Sequence, residues 1–159
     1  MYDELLSRPD DEDRFGLRLA MRLAVTLGPD EDLGRTPDGL RRNYPISGGR
    51  LRAFAPDGVV SEGEVIGSGA DISVLRDDAM AVVDALYRIR MDDGTVIVVH
   101  NKGLYDEPSF GPRGRNYLVS RPDFIAPLGA HDWLNRSFFI GTVDDWEGGV
   151  LVSVYEVLI

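Results

Sequence analysis

The chain contains no cysteine. Disulfide staples, a thiolate nucleophile and a thiolate-bound zinc are therefore excluded. It has one lysine, Lys102, which confines Schiff-base chemistry to that position. Its two histidines, His100 and His131, are not spaced as a metal-binding pair on one strand or helix, and no metal is expected. No apolar run reaches the roughly eighteen residues that a membrane-spanning helix takes. The N-terminal stretch lacks the basic and apolar regions of a signal peptide, which points to a cytoplasmic protein. The net charge is −10, and the arginines are scattered singly or in pairs. A sequence-independent nucleic-acid binder needs a basic stripe to neutralise phosphates, so neither nucleic acid nor membrane is expected as a partner.

What is present reads as β-structure. At 159 residues the chain has the size of one domain and can bury a core without staples. Residues 1–15 form an acidic N-terminal arm, and residues 16–159 a single domain. Leu17, Leu19, Met21, Leu23, Val25 and Leu27 alternate with Arg18, Ala20, Arg22, Ala24 and Thr26, the period-two pattern of a half-buried strand. Residues 29–40 read as loop. Further short apolar runs follow at 42–47, 50–55, 59–66, 71–76, 80–91, 95–101, 116–126, 136–143 and 149–158. Glycine and aspartate punctuate them, and Asp93-Gly94 is the clearest hairpin signal. This spacing predicts an all-β fold, a closed or nearly closed antiparallel barrel of about ten strands whose closure removes exposed edges. Residues 103–116, the longest strand-poor stretch, are the candidate lid or binding loop. A two-fold homodimer is the expected assembly.

No phosphate-cradling loop is found, because Gly67-Ser-Gly-Ala-Asp leads into a strand rather than a helix. Acid–base chemistry without a cofactor has more support. Asp84 shares a strand face with Val82 and Leu86. Burial there would raise its pKa and suit it to proton transfer, unless Arg88 or Arg90 on the same face pairs with it. Asp71 starts a strand and is either a second catalytic carboxylate or a turn cap. His100 alternates with Val96 and Val98, and is either a proton-transfer group or a satisfied core residue. Tyr87 and Tyr155 either pack their rings and donate their hydroxyls inward or are plain core aromatics. Arg136 can clamp a carboxylate or enolate, or pair with an aspartate on the rim. Trp133 belongs to an aromatic group that is a ligand wall, a dimer surface or plain core. Asn101, a candidate ligand contact, points away from His100, so both line one lumen only if a bulge intervenes.

Several segments in order carry a family likeness: Asn43-Tyr44-Pro45-Ile46-Ser47-Gly48-Gly49, Gly69-Ala70-Asp71, Asp84-Ala85-Leu86-Tyr87, Asn101-Lys102-Gly103, Trp133-Leu134-Asn135-Arg136 and Val154-Tyr155-Glu156-Val157. Over residues 17–158 the chain resembles the bacterial and fungal domain-of-unknown-function family three-two-three-seven. The resemblance implies a small β-barrel with a ligand-sized interior and no agreed reaction. Two positions depart from the family pattern: Ile72 replaces the usual aromatic, and Leu86 the usual arginine. Three readings compete. The first is a cofactor-independent isomerase, lyase, dehydratase or cyclase acting on a hydrophobic oxygenated small molecule. The second is a non-catalytic barrel that binds such a ligand, and the third an oligomer with a filled barrel.

Overall fold

The computed structural model describes residues 1–9 and 14–159. The acidic cluster at residues 10–13, central to the N-terminal arm, lies outside the described residues. A short helix, α1 (Tyr2–Leu6), precedes nine strands. These are β1 (Gly16–Leu27), β2 (Glu31–Thr36), β3 (Gly39–Phe54), β4 (Val60–Leu75), β5 (Ala81–Met91), β6 (Val96–Asp106), β7 (Tyr117–Ile125), β8 (Phe139–Trp146) and β9 (Gly149–Leu158). Consecutive strands from β3 to β9 pair antiparallel, and β1 pairs with both β9 and β3, closing an eight-stranded barrel. The ninth strand, β2, lies outside the ring.

The period-two pattern of β1 works as its chemistry dictates. Met21, Leu23 and Val25 are buried, whereas a register shift between Leu19 and Met21 leaves Leu17 on the surface. The segment 29–40, expected to be loop, contains β2. Its residues show no apolar alternation because it is an exposed edge strand. It forms because β1 ends at Leu27, leaving the first third of β3 without a neighbour on that side, and Glu31–Thr36 takes the place.

The runs expected as four separate strands over 42–76 form two long ones. Gly48-Gly49 and Gly67-Ser68-Gly69 are not turns but register shifts inside β3 and β4, which bend each strand around the barrel. Gly49 shows why glycine is needed: its φ is +147°, and a Cβ there would sit 2.2 Å from the Ala24 carbonyl oxygen across the β1–β3 closure. The Asp93-Gly94 hairpin forms as expected, with Gly94 at φ +87° and the Met91 N–H donating to the Thr95 carbonyl.

One end of the barrel is filled. Leu23, Ile89, Ile97, Val99 and Val154 are at most 1 % exposed, and burying each contributes about 1.5–3 kcal/mol. Phe139 stands edge-on to Phe124 at 5.2 Å between ring centroids. The connector between β7 and β8, with a 3-10 turn at Asp132–Asn135, caps this end and inserts Leu134. His131 ties the cap to the β5–β6 hairpin through Asp93, at 2.7 Å. The ring is uneven: β5 and β6 share ten registered pairs, Ala81↔Tyr105 through Arg90↔Val96, while β7 and β8 share two, Val119↔Thr142 and Ser120↔Gly141. No described helix is long and apolar enough to cross a membrane.

Candidate functional site

The opposite end of the lumen is open and encloses about 900 Å³. Its polar wall is built by register. Tyr44 on β3 faces Asp71 on β4, Asp71 faces Ala85 on β5, and Ala85 faces Asn101 on β6. Antiparallel neighbours at one level point the same way, so these four residues form one inward-facing rung, each step about 4.8 Å. Ala85 has a single side-chain carbon and leaves a slot between the carboxyl of Asp71 and the amide of Asn101. Tyr87, two residues deeper on β5, forms the floor of that slot and is 5 % exposed. Gly69 makes room for it, since a Cβ there would lie 2.5 Å from the Tyr87 Cβ.

The electrostatics single out Asp71. Burial in the wall pushes its carboxyl up to about 6; the Asp84 peptide N–H, donating to Oδ1 at 2.7 Å, pulls the other way, and the Asp84 charge adds to the rise. The group therefore changes protonation near neutrality, inside a cavity. Burial also pushes the phenols of Tyr87 and Tyr44 upward, keeping both as neutral hydrogen-bond donors. Asn101 is 5 % exposed, and its Oδ1 has no hydrogen-bond partner among the described residues.

The loop after β6 shapes the mouth. β6 extends to Asp106, so the loop is shorter than the expected 103–116. Asp106, fully buried, accepts hydrogen bonds from the Arg113 backbone N–H and guanidinium, both at 3.1 Å, and the guanidinium lies over the Tyr117 ring. So anchored, the loop presents Glu107, Phe110 and Asn116 to the cavity.

Of the eight expected site residues the cavity gathers three: Asp71, Tyr87 and Asn101. The other five lie elsewhere. Asp84 and His100 are on the outer face of β5 and β6, where His100 Nε2 meets Asp84 Oδ1 at 2.6 Å and Lys102 lies 4.0 Å from the same carboxylate. The partner of Asp84 is thus His100, not Arg88 or Arg90. The reason is parity: Tyr87, Ile89 and Met91 are the inward residues of β5, so Asp84 and Leu86 point out. Likewise Ile97, Val99 and Asn101 point in on β6, and His100 points out. Tyr155 is on the outward parity of β9, opposite to the buried Val152 and Val154. Trp133 and Arg136 belong to the capped end, where Trp133 packs near Phe139 and under the Arg18 guanidinium, and Arg136 pairs with Asp132 at 2.9 Å. Ile72 and Leu86, the two departures from the family pattern, are 44 % and 57 % exposed, so neither falls in the cavity. Tyr44, Ser73 and Tyr105 line the cavity without having been singled out for chemistry. Tyr105 could have been found by continuing the alternation of Ile97, Val99 and Asn101.

A family model described as "Protein of unknown function (DUF3237)" matches residues 15–157. The chain belongs to this family. Among DUF3237 relatives, a UPF0311 protein of Rhodopseudomonas palustris is 28 % identical over 150 residues, covering 86 % of this chain and 92 % of its own length. A UPF0311 protein of Clostridium acetobutylicum is 24 % identical over 156 residues, covering 92 % of each. Among solved structures, a "beta-barrel like protein" of Acinetobacter baumannii superposes with TM-score 0.78 at 22 % identity, covering 96 % of this chain and 99 % of its own. A Penicillium herquei protein described as an enzyme superposes with TM-score 0.70 at 20 % identity, covering 96 % and 98 %. These likenesses establish the DUF3237 barrel as the shared fold.

Proposed function

We propose that the protein is a cofactor-independent acid–base enzyme, an isomerase, lyase, dehydratase or cyclase, acting on a hydrophobic oxygenated small molecule held in the open half of the barrel. The observation that carries this reading is Asp71: a carboxyl on the cavity wall, raised to about 6 by burial. At neutral pH such a group is mostly ionised yet basic enough to take a proton from carbon or oxygen. In this reading Asp71 moves the proton, Tyr87 and Tyr44 donate hydrogen bonds to the oxyanion that develops, and Asn101 orients the ligand. Asp84 contributes its peptide N–H to Asp71, and His100 holds the Asp84 side chain from outside. The Penicillium herquei neighbour, described as an enzyme, supports catalysis on this fold without naming a reaction. The reading keeps a cytoplasmic homodimer as its setting, and light scattering in solution checks the dimer.

A second reading, a non-catalytic ligand-binding barrel, is favoured by the position of the histidines. His100 is outside and His131 is in the cap, so no imidazole partners Asp71 in the lumen.

The test is incubation of the purified protein with a metabolite extract of its native host, following small-molecule masses over time. Consumption beyond one equivalent, lost in a folded Asp71→Asn variant, supports the enzyme. If Asp71 acts as base, kcat/KM rises with pH and levels off above about 6; if it acts as acid, kcat/KM falls above about 6. Full activity in folded Asp71→Asn overturns the assignment. Depletion that stops at one equivalent without a new product favours the binding barrel.

A further inference from the structure

The charges around the cavity are not balanced. Five carboxylates line it, from Asp32, Asp71, Glu107, Asp144 and Asp145, against two guanidiniums, from Arg41 and Arg42. Both guanidiniums are already engaged. Arg41 pairs with Asp38 at 3.0 Å, and Arg42 pairs with Asp30 and, at 3.8 Å, with Asp32. Asp145, on the inward parity of Val143, and Asp144 next to it in β8 have no cationic partner among the described residues, and neither has Glu107 in the loop after β6. Their field reaches inward. The Tyr105 phenol, on the cavity wall, is pushed up by its burial and then by the charges of Glu107 and Asp145. A ligand carrying a carboxylate or phosphate would meet this rim with no free cation to receive it.

A second, independent feature lies deeper. Asn101, on the inward parity of β6, lines the cavity, and its Oδ1 is sealed from solvent and left without a donor. A buried unsatisfied acceptor is costly, and a half-turn of the Asn101 amide about its last side-chain bond would bring Oδ1 to the cavity, where a ligand N–H or O–H relieves that cost. The aromatic side chains Tyr44, Tyr87, Tyr105 and Phe110 also line the space, and their ring faces attract cations. The acidic rim and the aromatic faces therefore favour positive charge.

We propose that the cavity takes a hydrophobic amine in its protonated form. Its ammonium lies at the rim by Asp144 and Asp145, its apolar body lies in the lumen, and a hydroxyl or N–H on that body donates to Asn101 Oδ1. This substrate class rests on the preceding reading only in taking the cavity as the ligand's place; it requires no turnover.

The experiment is calorimetric titration of the full chain at pH 7 with three probes that share a 6-hydroxy-2-naphthyl body and differ in one arm: ethylamine, ethanol and acetate. The amine should bind about five- to tenfold more tightly than the alcohol, and the carboxylate more weakly than either. The advantage of the amine over the alcohol should vanish in the double variant Asp144→Asn, Asp145→Asn and shrink in high salt. Asn101→Ala should weaken all three probes about equally, by about tenfold. A carboxylate that binds as tightly as the amine overturns the proposal. So does an amine advantage that survives the double variant, and so does failure of the amine to bind. Because turnover is not read, loss of charge selectivity leaves the acid–base reading standing, and absence of turnover elsewhere leaves the selectivity standing.

Discussion

The two halves of one lumen are built from the same eight strands and do opposite things. In the capped half the inward positions are apolar, mostly branched or aromatic with Met21, Met91 and alanines between them, and Phe139, Ile89 and Ile97 are at most 2 % exposed. In the open half the same strands turn inward Asp71, Ala85, Asn101 and Tyr44, which leave about 900 Å³ of space. β5 and β6 thus change character near their middle, at Tyr87 and between Val99 and Asn101. The barrel concentrates its apolar burial at one end, so it can place an uncompensated carboxyl at the other.

The difference can be tested from both sides. The largest effect is expected in the capped half. Phe139→Ala removes the ring that meets Phe124 and Trp133, and should cost about 3–5 kcal/mol in chemical denaturation. A loss below about 1 kcal/mol would mean that this end does not carry the stability.

The next effect lies in the open half and has the opposite sign. Asp71 keeps its proton up to about pH 6 in the folded chain, against about 4 when unfolded. Its neutral form is the one the wall favours, so this contribution is complete below about pH 4 and lost as pH rises through about 6. Asp71→Asn should abolish that decline and be more stable than the parent at pH 8 by about 2–3 kcal/mol. Denaturation curves at pH 4 and pH 8 check it, and an equally steep decline in the variant would remove Asp71 as the cause.

The smallest effect concerns the cap. The Thr95 backbone N–H and hydroxyl, with His131, hold the Asp93 carboxyl down at about 2. That stabilisation is complete above about pH 4 and lost as pH falls through about 2. Asp93 is exposed and the pair well solvated, so Asp93→Asn should change the fall in melting temperature between pH 4 and pH 2.5 by only about 1–2 °C. A shift several times larger would make this pair a main fastening of the cap.

The barrel itself was legible in the sequence because period-two alternation in β1, β5, β6 and β9 and the Asp93-Gly94 turn are local signals. The strand count was less so. Gly48-Gly49 and Gly67-Ser68-Gly69 carry the composition of turns, yet they bend two continuous strands, and only the pairing with β1 and β5 distinguishes the two cases. β2 left no apolar trace because one face of it never meets a core. The site was half legible for a related reason. Alternation divides a strand into two faces but does not name the inner one. Over Ala81–Leu86 both faces of β5 are apolar, which made Asp84 look buried. Arg88 and Arg90 share its parity, and two arginines two residues apart on one face mark that face as the outside.

The thin joint between β7 and β8 bears on how the cylinder moves. Two registered pairs and Pro122, which brings no backbone N–H, hold a seam that ten pairs hold between β5 and β6. Few backbone bonds mean a small free energy of local opening, so amide exchange in β7 and β8 should outrun that in β5 and β6. The ring is closed in its average geometry, and this seam is where it should open first. The wall carrying Asp71 belongs to the densely paired side, and β8, which carries Asp144 and Asp145, to the thinly paired one.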